Sequence, residues 1–376
     1  MSASITYSRR VRPTPFTSRL EANGVSGYTV YNRMLLPTLF AMSLEDAYWH
    51  LREHVQIWDV SCERQVEITG PDAARLVQLM TPRDLSKAKL GRCYYAPIID
   101  QHAGMLNDPM IIKLADDRYW VSIADSDILL YAKGLAIGLN LSVEVVEPDV
   151  SPLAIQGPKS DDLMASVFGE EIRALKFFGY TEIEFMGRRM IVSRSGYSSQ
   201  GGFEIYLNDS TLGPALWDTL WDAGSSFSIA PGCPNLIDRL EGGLLSYGND
   251  IGIENNPLEV GLEGYCHHDR DIACIGRDAL RQIAKNGPKR LLRWIHYEGD
   301  NVPVCRDKWP LMTGGKQVGI LTSTAWSPRL KANVAVGQID HELALTNGEI
   351  DVMTADGRRL PGRFYDTPFR DFAIAA

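Results

Sequence analysis

Two polar stretches of this 376-residue chain place carboxylates where they could bind a ligand. In residues 104–112, Asp108 lies among apolar side chains, and a carboxylate there is costly unless it has a partner. In residues 194–206, a glycine-rich loop runs into a predicted strand on which Glu204 and Tyr206 share one face. A carboxylate in that position can accept two N–H bonds from the edge of a heterocycle. Without a ligand, the same stretches would be an ordinary turn and an ordinary hairpin.

A third polar stretch, residues 239–250, carries Arg239 and Glu241 near the end of a predicted helix. Their charges suit either an internal ion pair or the polar end of a ligand. A match of this length is a weak signal by itself.

Two histidine-containing segments resemble metal sites. His50, Glu53 and His54 fit the pattern H-x-x-E-H, in which histidines four residues apart on a helix can share an ion. We find no third ligand and expect a solvated helix face without metal. Residues 266–269 (Cys-His-His-Asp) are adjacent and flanked by loop residues, so we expect a surface or oligomer-contact role.

Composition and missing motifs exclude several classes of protein. The net charge of −9 argues against duplex nucleic acid as a partner, because phosphate neutralisation needs clustered Lys and Arg. There is no phosphate-binding P-loop, no dinucleotide fingerprint and no G-x-S-x-G elbow. No apolar run is long enough to span a membrane, and residues 1–16 lack the apolar core of a secretory signal. Six scattered cysteines without a Cys-x-x-Cys pair indicate reduced thiols and a cytoplasmic protein.

Repeated strand–helix patterns must position these residues. After a predicted helix over residues 43–54, a strand at 64–69 leads through Gly70-Pro71 into a helix that reaches Met80. Proline is favoured in the first helical position, so Gly-Pro marks the switch. The same order returns in residues 153–168, which predicts two related α+β halves around one site.

The C-terminal part of the chain has a different pattern. Beyond residues 286–290, short strand patterns are separated by Gly, Pro and Asn, as in a small all-β domain. We therefore expect a first region over residues 1–285 and an all-β domain over residues 286–376, and the chain length suits two or three domains.

Taken together and in order, the three polar stretches resemble the glycine-cleavage T-protein (aminomethyltransferase) superfamily. That family has segments similar to GGxxDDL, RTGYTGExGFEI and RLExGxxxYGxD, and its C-terminal VTSxxxSPxL is echoed by residues 321–330. The resemblance implies a three-domain α+β fold, with two related α/β halves around a central folate site and a small C-terminal β-barrel.

Within this superfamily the chain looks most like the tetrahydrofolate-dependent dimethylsulfoniopropionate demethylases. The segments that carry this likeness are residues 14–16, 28–37, 58–73, 147–160 and 246–257. The chain departs from the T-protein pattern at Cys62-Glu63-Arg64, where that family has a His-Met-Gly type sequence. It departs again at Asn107, where the family has the first of two aspartates. Both departures favour the demethylase branch.

The resemblance also implies site residues. Asp108 takes the place of the catalytic acidic residue near the reactive nitrogen of the folate, and Glu204 that of the residue holding the pterin edge. The other folate-binding positions are Tyr95, Ser122, Phe178, Tyr197, Tyr206 and Arg239. For a sulfonium substrate we expect aromatic faces around the cation and a polar partner for its carboxylate. The substrate-binding candidates are Tyr31, Asn32, Arg33 and Trp120.

The expected reaction moves a methyl group from dimethylsulfoniopropionate to N5 of tetrahydrofolate, giving methylmercaptopropionate and 5-methyltetrahydrofolate. The expected partners are these small molecules, with no metal, nucleic acid or membrane, and the protein is expected to be a monomer or homodimer. One alternative is an aminomethyltransferase acting with a lipoyl carrier protein, and another is a demethylase of a quaternary ammonium betaine. A third is a metalloenzyme built on His50 and His54. The non-enzymatic alternative is a folate-binding tRNA-modification factor, whose signature, similar to Lys-Gly-Cys-Tyr-x-Gly-Gln-Glu, is not found between Asn249 and Tyr265.

Overall fold

A computed structural model of the chain describes residues 7–300, 302–346, 348–370 and 372. The chain divides into two compact units. Unit 1 comprises Met1–Val77, Lys87–Tyr95 and Pro109–Asn235, and unit 2 comprises Gln78–Ser86, Ala96–Asp108 and Leu236–Ala376. The boundary expected after residue 285 stays a prediction. The expectation about an N-terminal signal falls partly on residues 1–6, which lie outside the described residues.

Both units contain helices and strands. The α-helices of the described residues are α1 (Thr17–Ala22), α2 (Leu44–Glu53), α3 (Ala73–Met80), α4 (Ile128–Gly138), α5 (Ser160–Phe168), α6 (Gly213–Gly224), α7 (Leu236–Gly242), α8 (Arg277–Asn286) and α9 (His341–Ala344). The strands are β1 (Gly27–Tyr31), β2 (Met34–Leu39), β3 (Val55–Asp59), β4 (Gln65–Thr69), β5 (Cys93–Tyr95), β6 (Ile98–Ile99), β7 (Met105–Asn107), β8 (Met110–Ala115), β9 (Arg118–Ser122), β10 (Glu144–Val146), β11 (Ser151–Gln156), β12 (Tyr180–Phe185), β13 (Arg188–Ser193), β14 (Gly202–Leu207), β15 (Ile229–Gly232), β16 (Arg290–Tyr297), β17 (Trp309–Thr313), β18 (Lys316–Ser327), β19 (Ala332–Asp340), β20 (Gly348–Met353) and β21 (Arg359–Tyr365). Short 3-10 helices occur at Glu170–Ala174, Ser210–Leu212, Ser225–Phe227 and Glu263–Tyr265.

Unit 1 contains two main sheets. One has six strands in the order β12-β13-β14-β11-β3-β15, antiparallel except for the β15–β3 pair. The other has five antiparallel strands in the order β10-β4-β9-β8-β5. The largest apolar core packs Phe16 of the N-terminal segment and Trp217 of α6 with strand residues such as Phe203 of β14. Strands β3, β11 and β14 are buried at every position, so both faces of this part of the sheet are covered, and each strand carries a buried polar residue, such as Gln56, Gln156 and Glu204.

The predicted strand–Gly-Pro–helix repeat is present in both copies. Gly70 and Gly157 have the same φ of +120°, and a Cβ would come within 2.6 Å of Ser142 O in the first copy. The prediction that proline opens each helix is wrong. The N–H of Ala73 bonds to Gly70 O at 3.0 Å, so the proline occupies the second position of a β-turn and the helix follows it.

Two predicted helices form with local differences. The pairing of Ser43 with Asp46 in the sequence predicts a capping box, and Ser43 does cap α2, accepting a hydrogen bond from the N–H of Asp46 at 3.0 Å. The sequence also predicts that Leu44, Tyr48 and Leu51 share the buried face, but Leu44 is 45% exposed and only Tyr48 and Leu51 are buried. The sequence predicts a second helix over residues 212–223 that stops at a left-handed Gly224, but helix α6 runs through Gly224, whose φ is −70°. Its lack of a side chain is needed instead for close packing, since a Cβ would lie 2.7 Å from Ile229.

Unit 2 contains the C-terminal barrel. Strands β16-β19-β18-β17-β20-β21 close into a barrel whose interior is filled by residues such as Ile295, Leu311 and Phe364. The predicted all-β character of the C-terminal region is confirmed. All six cysteines are unpaired thiols. Among the described residues, no helix has both the length and the apolar character needed to cross a membrane.

Candidate functional site

One face of the five-stranded sheet gathers several predicted binding residues. Ser122 of β9 lies opposite Gln65 and Met110 on its two neighbouring strands, and Met110 in turn lies opposite Tyr95. Directly paired residues point to the same face, so these four form one row across the sheet. Trp120, two residues before Ser122, shares that face. Gln65 donates a hydrogen bond to the Ser122 hydroxyl at 2.8 Å.

This face packs against the face of the six-stranded sheet that carries Glu204 and Tyr206. The Trp120 and Tyr206 ring centroids lie 6.0 Å apart, and both side chains belong to one buried cluster with Cys93. Phe178 packs at the edge of the cluster. Unit 1 therefore brings together predicted residues that are far apart in the sequence.

The Glu204 carboxyl group is oriented by hydroxyl groups. Its Oε2 accepts hydrogen bonds from the Ser195 hydroxyl and, at 3.4 Å, from the Tyr206 hydroxyl. The Ser193 hydroxyl in turn contacts Ser195. Its Oε1 accepts no hydrogen bond from a residue that the structure describes. Burial raises the pKa of Glu204, and the two hydroxyl donors oppose that rise. The arrangement leaves one carboxyl oxygen available to a ligand with N–H donors.

Gln156 fixes the glycine-rich loop that precedes Glu204, a role the sequence did not indicate. It is fully buried at the end of β11. Its Nε2 donates to the Ser195 carbonyl at 3.2 Å, and its Oε1 accepts from the Ser198 hydroxyl at 2.6 Å. A Cβ on Gly196 would lie 2.0 Å from the Gln156 amide, so this glycine cannot be replaced without moving the loop. Tyr197, half-buried, is held in the same loop.

Phe178 has an unusual backbone conformation for an aromatic residue. Its φ is +59°, which is sterically costly for a bulky side chain. Its carbonyl accepts the N–H of Cys93 at 2.8 Å, and its N–H bonds to the Arg194 carbonyl at 2.9 Å. These bonds tie Phe178 to β5 and to the start of the loop before Glu204. Its ring stacks on Phe177, which is 64% exposed.

The predicted substrate residues Tyr31, Asn32 and Arg33 lie at the tip of the β1–β2 hairpin. Asn32 and Arg33 have φ values of +49° and +62°, as in a two-residue type I′ turn. The buried Asn32 amide donates to three backbone carbonyls, including that of Ile123 at 3.2 Å, directly after Ser122. The hairpin tip therefore lies beside the row that contains Ser122. Because both Nδ2 hydrogens are engaged, the geometry favours Arg33 over Asn32 as the partner of a carboxylate.

Two predicted site residues belong to unit 2. Asp108 is half-buried in the two-residue connection between β7 and β8. Arg239 is buried and forms an ion pair with Asp250 at 2.7 Å, and it donates to the Ser323 hydroxyl at 2.8 Å. Arg239 therefore pairs with Asp250 in the barrel-containing unit rather than with Glu241, which binds Arg329 at 2.8 Å. The ligand roles of Asp108 and Arg239 stay predictions.

The histidine-containing segments carry no metal-binding constellation in the part of the chain that is described. The rings of His50 and His54 are 5.0 Å apart, without a third ligand. In the second segment, His267 accepts a hydrogen bond from the N–H of Asp84 at 3.0 Å, so it ties this segment to the loop that follows α3.

The same fold occurs in a known enzyme. Aminomethyltransferase T of the glycine cleavage system from Bartonella henselae superposes with a TM-score of 0.85 over 96% of this chain and 98% of that chain, at 22% identity. The chain therefore has the three-dimensional architecture of an aminomethyltransferase.

Sequence comparison identifies the family. Residues 16–270 match the GCVT N-terminal domain, and residues 290–371 match the glycine cleavage T-protein C-terminal barrel domain. The chain belongs to the glycine cleavage T-protein family. It is 52% identical to dimethylsulfoniopropionate demethylase DmdA of Ruegeria pomeroyi over 95% of this chain and 97% of the relative. It is 30% identical to the aminomethyltransferase of Symbiobacterium thermophilum over 89% and 91% of the two chains. The resemblance drawn from the ordered motifs is confirmed.

Proposed function

We infer that this protein is a tetrahydrofolate-dependent methyltransferase that demethylates dimethylsulfoniopropionate. The 52% identity to the Ruegeria pomeroyi demethylase, over nearly the whole of both chains, carries this conclusion. The products are methylmercaptopropionate and 5-methyltetrahydrofolate. Unit 1 supports the proposal, because its buried aromatic cluster adjoins a carboxyl group with one free oxygen.

Tetrahydrofolate supplies the nucleophile, its N5 atom. A bond forms between N5 and the methyl carbon while the C–S bond breaks and its electron pair stays on sulfur. The N5 proton then passes to solvent. The leaving thioether is neutral, so no side chain has to protonate it. The main task of the protein is to align N5, the methyl carbon and sulfur, which is worth up to ~7–11 kcal/mol in favourable systems.

The aromatic face of the five-stranded sheet suits a sulfonium cation. Trp120 and Tyr206 present rings 6.0 Å apart, and Tyr95 lies on the same face of the sheet as Trp120. Each aromatic face in contact with a cation contributes ~0.5–2 kcal/mol. Tyr31 and Arg33 at the hairpin tip complete the proposed substrate contacts, with the Arg33 guanidinium facing the substrate carboxylate. The Arg33 side chain is largely exposed and its contact with Asp127 is long, at 3.4 Å, so a substrate can replace that contact.

Glu204 is proposed to hold the pterin edge through Oε1. The hydroxyls of Ser195 and Tyr206 fix its other oxygen, so the free one has a defined direction. Ser122, Phe178 and Tyr197 are proposed to line the folate pocket. Asp108 is proposed to orient the folate near N5, and Arg239 to lie near its polar end; both assignments rest on the sequence motifs. We also propose that the protein is cytoplasmic, that the reaction requires no metal, and that the protein is a monomer or a homodimer.

The aminomethyltransferase alternative is less well supported. The aminomethyltransferases of Symbiobacterium thermophilum and Halothermothrix orenii are 30% and 28% identical to this chain, compared with 52% for the demethylase. The departures at Cys62 and Asn107 also distinguish this chain from the T-protein pattern. Betaine demethylation asks more of the protein, because an amine leaves carbon less readily than a thioether.

A panel of methyl donors tests the proposal. The protein is incubated with tetrahydrofolate and, separately, with dimethylsulfoniopropionate, a thetin, glycine betaine and choline, and folate products are separated by chromatography. We expect 5-methyltetrahydrofolate from dimethylsulfoniopropionate, at least a hundredfold faster than from the ammonium donors. Faster turnover of an ammonium donor would refute the assignment of the substrate. Activity lost after exhaustive metal chelation and regained with metal would refute the metal-free mechanism.

A further inference from the structure

A cavity of unit 1 lies outside the proposed folate and substrate residues. Its volume is about 620 Å³, and its walls include the segment before α1 and the segment between β10 and β11. The lining side chains that matter for its chemistry are Arg12, Thr14, Ser61, Arg64 and Glu147. We call it the arginine cavity.

Two arginines in this cavity share a single carboxylate. Arg12 Nη2 lies 2.9 Å from Glu147 Oε1, and Arg64 Nη2 bonds to Glu147 Oε2. Two guanidinium groups against one carboxylate present more N–H donors on the cavity wall than Glu147 accepts. Asp149 is also in the lining, but it is exposed at the rim and accepts a hydrogen bond from the N–H of Ser210 at 3.0 Å. Its charge is therefore screened by solvent more than that of the buried Arg64.

Arg64 has hydrogen-bonding capacity that the described residues do not use. Its side chain is 10% exposed, its only side-chain partner is Glu147, and its buried Nε–H has no acceptor. A buried donor without an acceptor destabilises the folded protein. A carboxylate oxygen is a strong acceptor for such a group, and the planar guanidinium matches a carboxylate in geometry.

The hydroxyl groups in the cavity are held in fixed directions. Ser61 Oγ donates to Asp59 Oδ1 at 2.6 Å, and Thr14 Oγ1 donates to Asp59 Oδ2 at 2.5 Å. Asp59 is buried behind them, 1% exposed. The wall beside Arg64 is therefore already ordered, so a ligand would not have to immobilise it.

We propose that the arginine cavity is a binding site for a small organic carboxylate, held by the guanidinium groups of Arg12 and Arg64. The carboxylate accepts hydrogen bonds from the guanidinium groups of the two arginines that line the cavity, while Glu147 keeps them in place. Arg12 also connects this site to the β1–β2 hairpin, since its N–H bonds to the Arg33 carbonyl at 2.9 Å and its carbonyl accepts the N–H of Leu35 at 3.1 Å.

The test is a titration of the full-length protein, without folate, with propionate labelled with ¹³C at the carboxyl carbon and followed by NMR. We expect saturable binding that weakens at least tenfold in Arg64→Lys, which keeps the charge but lacks the guanidinium fork. Arg12→Gln, at a position 37% exposed, should weaken it to a similar degree. The matched control is Arg173→Gln, an exposed arginine that also pairs with two carboxylates, for which affinity should stay within twofold.

Circular dichroism and thermal unfolding of each variant check that the fold is kept. Absence of saturation, or equal affinity in wild type, Arg64→Lys and Arg12→Gln, would overturn the proposal. Saturable binding of inorganic phosphate with no binding of propionate would overturn the assignment to carboxylates.

Discussion

Replacing Glu204 by glutamine separates the charge of this side chain from its shape. In the protein, Oε2 accepts hydrogen bonds from the Ser195 and Tyr206 hydroxyls, and no described residue donates a hydrogen bond to Oε1. In Glu204→Gln, the amide oxygen takes the position of Oε2, because that position faces two hydroxyl donors. The NH₂ group then replaces Oε1 and faces the N–H groups of the pterin, so a donor meets a donor.

The expected loss combines two effects. A hydrogen bond to a charged group contributes ~1.5–3 kcal/mol, and an unsatisfied buried donor costs ~1–3 kcal/mol. Even the lower ends together give roughly 2.5 kcal/mol, and 1.4 kcal/mol is about tenfold in affinity. We therefore expect tetrahydrofolate to bind Glu204→Gln at least about sixtyfold more weakly in isothermal titration calorimetry at neutral pH.

Two controls distinguish this effect from misfolding. Burial raises the pKa of Glu204, so ionising it at neutral pH lowers the stability of the folded state. Glutamine removes that penalty, and the thermal midpoint of the variant should be equal to or above that of wild type. Dimethylsulfoniopropionate affinity should change less than threefold. Unchanged folate affinity in Glu204→Gln would refute the assigned role of Glu204.

Three further predictions concern other residues of the two units. The Ser195 hydroxyl lowers the pKa of Glu204, so Ser195→Ala should raise that pKa. When the pH is lowered, the variant should therefore lose folate binding at a higher pH than wild type does. Identical pH profiles of folate affinity would contradict this. Burial raises the pKa of Asp59 from 3.8 to about 6, so the stability that the protonated carboxyl contributes is lost as pH rises through about 6. A shift of about two pKa units corresponds to ~3 kcal/mol. The unfolding free energies of wild type and Asp59→Asn are measured in urea at pH 4 and at pH 7.5. Relative to wild type, the variant should be more stable at pH 7.5 than at pH 4 by that amount. The same difference at both pH values would contradict the prediction. Arg239→Gln leaves Asp250 buried without its ion-pair partner, so we expect a loss of ~3–5 kcal/mol in urea unfolding, and an unchanged urea midpoint would show that the pair does not stabilise the fold.

Much of the fold could be predicted because its signals are local. The strand–Gly-Pro–helix units at Gly70 and Gly157 need a positive φ and close backbone approach, which glycine permits, and so they are visible in the sequence. The cap of helix α2 and the alternation of the barrel strands are also local signals, so they can be read from the sequence. The exact start of α3 was missed because proline is compatible both with a turn and with a first helical position.

The candidate site could be predicted only in part. Glu204 and Tyr206 share a strand, so their common face follows from the period of two. The contact of Tyr206 with Trp120, on another sheet, follows only from the packing of the two sheets. Gln156 was missed because a glutamine near the end of an apolar strand has no motif, and its role depends on the loop that folds over it. The occupied amide of Asn32 was missed because its acceptors are backbone carbonyls distant in the sequence.

The fate of a labelled methyl group tests the proposed methyl transfer most directly. Dimethylsulfoniopropionate with trideuterated S-methyl groups is incubated with the protein and tetrahydrofolate, and the folate product is analysed by mass spectrometry. Direct transfer predicts 5-methyltetrahydrofolate carrying three deuterium atoms, with one trideuterated methylmercaptopropionate formed for each methyl transferred. A folate product at the oxidation level of 5,10-methylenetetrahydrofolate would contradict direct methyl transfer. So would cleavage of dimethylsulfoniopropionate that releases a thioether without placing the label on the folate.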